Sequence, residues 1–101
     1  MKTVQDIRNQ LKNVIDPELG INIVDLGLVY NITISDDEVV SILMTLTTPG
    51  CPLSPYFEKE IKEQLHRFSD VKKIEITLTF DPIWTQEKMT EDGKNQLALL
   101  M

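Results

Sequence analysis

The chain holds a single cysteine, in the segment Thr48-Pro49-Gly50-Cys51-Pro52. A thiolate is the form of cysteine that binds metal or attacks sulfur. Pro49-Gly50 breaks the strand before it, and a helix is predicted over about 53–68. Pro52 and Pro55 both suit an early helical position, where a missing N–H costs little. A thiol there feels the positive end of the helix dipole, which lowers its pKa. The competing reading is a buried free cysteine acting as a small hydrophobe. The flanking prolines and glycine favour an irregular, accessible loop.

Other residues could take part in chemistry, and each has a plainer explanation. Asp16 and Glu18 could ligate a metal or move protons, yet Asp-Pro-Glu is more often a turn. Asp25 and Asp81 also stand beside turn residues. Trp84 follows a proline loop and can cover the end of a core. Thr45, Thr47 and Thr48 suit a strand by propensity alone, and Thr85 follows the tryptophan. His66 reads as a surface imidazole near a helix C-terminus. It lies fifteen residues beyond Cys51, roughly 20 Å along a helix, too far for a Cys–His pair. There is no Cys-x-x-Cys, no second histidine and no glycine-rich phosphate loop, so zinc, thioredoxin and nucleotide motifs are excluded.

The elements that must position these residues follow from periodicity. Thr3 caps a first helix with Asp6 as its capping-box partner. Val4, Ile7, Leu11, Val14 and Ile15 carry that helix to about residue 14, before Asp16-Pro17 stops it. Residues 16–27 read as a loop, apolar enough that part of it packs on the body. A strand over 28–35 places Leu28, Tyr30, Ile32 and Ile34 on one face. A second strand over 39–47 places Val40, Ile42, Met44 and Leu46 inward, with Ser41, Thr45 and Thr47 outward. The two form an antiparallel hairpin. Phe57, Ile61, Leu65 and Phe68 stripe the next helix. Ile74, Ile76, Leu78 and Phe80 face inward on a third strand, 71–80, and residues 90–99 form a short closing helix.

The order α-β-β-α-β-(α) predicts one α+β domain over residues 1–101, a two-layer sandwich. Its small three-stranded mixed sheet carries helices on one face, and the strand order stays open. A helical crossover makes strands two and three parallel, while strand one is antiparallel to strand two. The start of strand one and the ends of strands two and three then share one edge. Asp25-Leu26-Gly27, Thr47 to Cys51 and Asp81 to Thr85 should therefore converge on one rim, where layered folds favour ligand sites.

Composition narrows the partners. Sixteen acidic residues against ten basic ones give a formal charge of −6. Nucleic acid needs a basic surface, and the same charge disfavours anionic membranes. No stretch approaches the roughly twenty apolar residues of a membrane span, and Met1 to Asp6 contain no signal-peptide core. One cysteine forms no intrachain disulfide, which fits a reducing cytoplasm. With 42% apolar residues the chain can bury a modest core.

The chain resembles the PaaD-like and SufT-like family of metal–sulfur cluster biosynthetic proteins from about residue 4 to residue 99. The segments that carry the resemblance are Asp16-Pro17-Glu18-Leu19, Asn22 through Tyr30, Met44 through Pro52, Phe80-Asp81-Pro82, Trp84-Thr85 and Met89. Where the family pattern has a second proline before the tryptophan, this chain has Ile83. The resemblance implies a fold like the Fe–S cluster assembly domain and a non-enzymatic role in assembling or delivering clusters, with Cys51 central. It also implies work with partner proteins: Fe–S scaffolds or carriers, client apoproteins, or a second copy of the chain. A labile Fe–S cluster or iron held by Cys51 would be shared with such a partner. The chain lacks the cysteine-rich tail of PaaD proper, which favours a general maturation factor over an oxygenase accessory. Two alternatives stand beside that reading. One is an adaptor that docks partners, for example of an oxygenase or Fe–S targeting complex, without touching the cluster. The other is a thiol enzyme, for which no neighbouring base is visible.

Overall fold

A computed structural model describes residues 3–47 and 54–100 of the chain. Its elements run α1 (Val4–Leu11), β1 (Val29–Ile34), β2 (Val39–Met44), α2 (Ser54–Leu65), β3 (Lys73–Leu78), a short 3₁₀ turn (Gln86–Lys88) and α3 (Glu91–Leu100). The α+β order expected from periodicity is the order observed.

α1 begins at the expected capping box. Thr3 Oγ1 accepts from the Asp6 N–H at 3.2 Å, and Asp6 Oδ2 accepts from the Thr3 N–H at 2.8 Å. The helix stops at Leu11, earlier than residue 14. The N–H groups of Lys12, Asn13 and Val14 donate to the carbonyls of Asn9, Gln10 and Leu11, tightening the end into 3₁₀ geometry. That early exit buries Val14 and starts the loop. Val14, Ile21, Ile23, Val24, Leu26 and Leu28 are all buried, so the loop supplies much of the core.

The sheet order is β1-β2-β3, with β1 antiparallel and β3 parallel to the central β2. The parallel register sets Val40 beside Ile74, Ile42 beside Ile76 and Met44 beside Leu78. These pairs point the same way, toward α1 and α2. Ile7 and Leu11 from α1 and Phe57, Ile61 and Leu65 from α2 complete the layer. Burying each such side chain stabilises the fold by about 1.5–3 kcal/mol. The inward residues of β3 remain half-buried because, among the described residues, β3 is an edge strand with a neighbour on one side only.

Two expectations about facing residues are corrected. Val29 pairs with Met44 and Asn31 with Leu43, so Tyr30 is the extra residue of a β-bulge. Leu28 and Val29 are consequently both buried, and Tyr30 leaves the core face. Thr45, expected outward, is fully buried. It lies beyond the last residue of β2, where strand alternation no longer applies, and its N–H donates to the Leu28 carbonyl at 2.8 Å. Among the described residues no helix is long and apolar enough to cross a membrane.

Candidate functional site

The strand directions bring the start of β1 and the ends of β2 and β3 to one edge. Val29 stands opposite Met44 and Met44 beside Leu78, and the Thr79 N–H donates to the Met44 carbonyl at 2.9 Å. β1 and β3 flank β2 on opposite sides, so the chain leaving β3 must cross the end of β2 to reach β1. It does so. The Tyr30 hydroxyl donates to the Pro82 carbonyl at 2.8 Å, and Trp84 Nε1 donates to the Leu26 carbonyl at 2.6 Å. Of the three segments expected at the rim, 25–27 and 81–85 are thus joined directly. Thr48 and Cys51 lie outside the described residues.

Asp25 is the hub of this junction and is buried. Its N–H donates to Asn22 Oδ1 at 2.8 Å, while its Oδ2 accepts from Asn22 Nδ2 at 2.7 Å. Its Oδ1 accepts from the Thr90 hydroxyl at 2.9 Å, and its carbonyl accepts from the Thr90 N–H at 2.9 Å. Thr90 in turn caps α3: its hydroxyl accepts from the Gly93 N–H at 3.0 Å. The carboxylate therefore sits against the positive end of α3, where negative charge is stabilised. Gly93 has to be glycine at this approach, since an added Cβ would overlap the Asp25 carbonyl. Gly27 meets the same constraint against the Lys88 carbonyl, and its φ of +77° also favours glycine.

Asp16 is buried and is a turn residue, the plainer of its two readings. Its Oδ1 accepts from the N–H groups of Glu18 and Leu19, at 2.8 and 3.2 Å. Its backbone closes the same turn with Gly20 and Ile21. The Glu18 side chain is exposed, and the hydrogen bonds of both residues stay within 16–21. Asp81 is exposed, its backbone N–H and carbonyl both bonded to the Thr79 hydroxyl. Thr85 is exposed and starts the 3₁₀ turn without a side-chain cap. His66 is exposed, as expected. Among the described residues no group of three or more His, Cys, Asp or Glu could hold a metal ion. Sequence reasoning missed Thr90, Asn22 and Lys88 as members of the junction. Thr90 followed by Glu91-Asp92 in the first turn is a helix-start signal that could have revealed the first.

Residues 4–78 match the family of proteins described as iron–sulfur cluster assembly protein. This chain belongs to that family. The match takes in α1, the hub loop and all three strands. The "Fe-S protein maturation auxiliary factor YitW" of Bacillus subtilis is 41% identical over 95 residues, covering 94% of this chain and 93% of that protein. The "Fe-S protein maturation auxiliary factor SufT" of Staphylococcus aureus is 40% identical over 86 residues, covering 85% of this chain and 98% of its own length. A solved structure from Bacillus anthracis, titled a domain of unknown function, superposes with a TM-score of 0.90 at 35% identity. It covers 94% of this chain and 91% of that one. The family's fold is accordingly the fold of this chain.

Proposed function

We propose that this family member is a non-enzymatic auxiliary factor in iron–sulfur protein maturation. In this reading Cys51 takes part in carrying a cluster, or transferring it, to apoproteins. The observation that carries it is the family match across residues 4–78, a span that includes Cys51. The names of the two relatives support the same role. The cluster is cargo, and its ligand chemistry limits what one chain can do. Fe–S clusters ordinarily take four thiolate ligands, and this chain has one cysteine. Carboxylates are hard ligands that suit the iron of such clusters poorly. Cargo on Cys51 is therefore shared with a second copy, a small thiol, or a scaffold, carrier or client protein.

One observation favours the adaptor as a second reading. Asp25 has both carboxylate oxygens engaged by Asn22 and Thr90, and Asp16 closes a turn, so these acids act as scaffold. A rigid rim of that kind also suits docking. The test is a strain lacking the gene, complemented with wild type or Cys51→Ser, in which growth and the activities of Fe–S enzymes are measured. Loss of both in the variant is expected. Full complementation would remove cluster handling and leave the adaptor.

A further inference from the structure

Between α1 and the start of β1 lies a cleft of about 460 Å³, and its walls run against the charge of the molecule. Arg8 lines it from α1, Lys12 from the cap residue just past that helix, and Lys88 from the segment that crosses the sheet end. The chain as a whole carries −6, yet three cations meet one acid in this cleft. That acid, Asp25, already has its oxygens engaged by Asn22 and Thr90. Arg8 in the last turn of α1 and Lys12 at its C-cap stand four residues apart, at the helix end where the dipole favours cations. The ion pairs found among the described residues, Lys72 with Glu38 and Lys73 with Glu75, involve none of the three. Lys88 Nζ instead sits 5.2 Å from the centre of the Tyr30 ring. Three cations thus line the cleft against the single carboxylate of Asp25, and none of them is in an ion pair among the described residues.

The cleft opens beside β1, an edge strand that among the described residues pairs with β2 alone. Val29 and Tyr30 line it at the bulge. An edge strand offers backbone groups to an extended chain, and the side-chain positions beside it select which chain binds. We infer that this cleft docks an acidic, extended peptide segment of a partner protein, its carboxylates paired with Arg8, Lys12 and Lys88. The inference rests on the maturation reading only in that such a factor must meet other proteins. It names the chemistry of the surface they offer.

The test uses the full chain and a fluorescein-labelled glutamate-rich peptide, followed by anisotropy and by amide chemical shifts. Wild type is expected to bind in a salt-sensitive way, with shifts at residues 8–12, 25–30 and 88–90. Exposed ion pairs each contribute about 1.5- to 5-fold in affinity, so R8Q/K12Q/K88Q together should weaken binding at least about threefold. Lys59→Gln, on the exposed face of α2, should leave it unchanged. Trp84 fluorescence and circular dichroism establish that the triple variant is folded. Absence of wild-type binding, equal binding by the folded triple variant, or shifts confined to other residues would each overturn the inference. So would displacement of the peptide by inorganic phosphate at matched ionic strength, which would make the cleft a small-anion site. Cys51→Ser should bind the peptide normally. Peptide binding without Cys51-dependent maturation would thus fault only the maturation reading, and the reverse only this one.

Discussion

Replacing Asp25 separates a scaffold role from a chemical one. Its carboxylate accepts one bond from Asn22 Nδ2 and one from the Thr90 hydroxyl, at 2.7 and 2.9 Å. Hydrogen bonds to a charged acceptor contribute about 1.5–3 kcal/mol each when buried. Both donors here are partly exposed, so water can replace some of that, and we take about 1–2 kcal/mol per bond. Asp25→Ala should then cost about 2–4 kcal/mol, a large share of a typical 5–15 kcal/mol. Asp25→Asn should cost far less. Its carbonyl can still accept from Asn22, and its amide can donate to Thr90 Oγ1, which accepts as well as donates. Only the charge at the N-terminus of α3 is lost, about 0.3–1 kcal/mol. Urea unfolding followed by the single tryptophan, Trp84, reads these values, because its indole is bonded to the Leu26 carbonyl next to the hub. Hydrogen exchange should localise the change to α3, whose amides lose protection in Asp25→Ala and keep most of it in Asp25→Asn. Equal costs for the two variants, or unchanged α3 protection in Asp25→Ala, would refute the clamp. A stable Asp25→Asn that fails to support maturation would instead show that the carboxylate has chemistry of its own.

Three further outcomes are expected. Cys51→Ser should unfold within about 1 kcal/mol of wild type in urea while losing maturation; a cost of several kcal/mol would mark a core residue. Gly27→Ala should cost about 2–4 kcal/mol in the same assay, because a Cβ there overlaps the Lys88 carbonyl at a positive φ; a neutral effect would mean that residues 84–90 do not hold the loop this closely. Anaerobic reconstitution should give labile binding of at most one cluster per two chains, read from iron, acid-labile sulfide and mass in one size-exclusion peak. A monomer holding a full cluster without added thiol would show that other residues ligate it.

The local rules carried much of the fold. The Thr3–Asp6 capping box, the inward alternation of Val40, Ile42 and Met44, and the stripe Phe57-Ile61-Leu65 are set by neighbours within a few residues. Period and cap chemistry therefore read them directly from sequence. Strand directions follow from connection lengths and by themselves place segments 25–27 and 81–85 on one rim. The strand order depends on which edges pair across the chain, and no local signal encodes it. The same holds for the bulge that turns Tyr30 out of the core, since it exists only relative to β2. The early stop of α1 is chosen by the burial of Val14 in a core assembled from distant parts. The meaning of Asp25 is the clearest case. From sequence it is an acid beside turn residues, and the turn is its plainer explanation. Its partners Asn22 and Thr90, the second of them 65 residues away, make it the acceptor that fixes α3 to the rim. A carboxylate's role is decided by the donors it meets, and tertiary structure alone selects those donors.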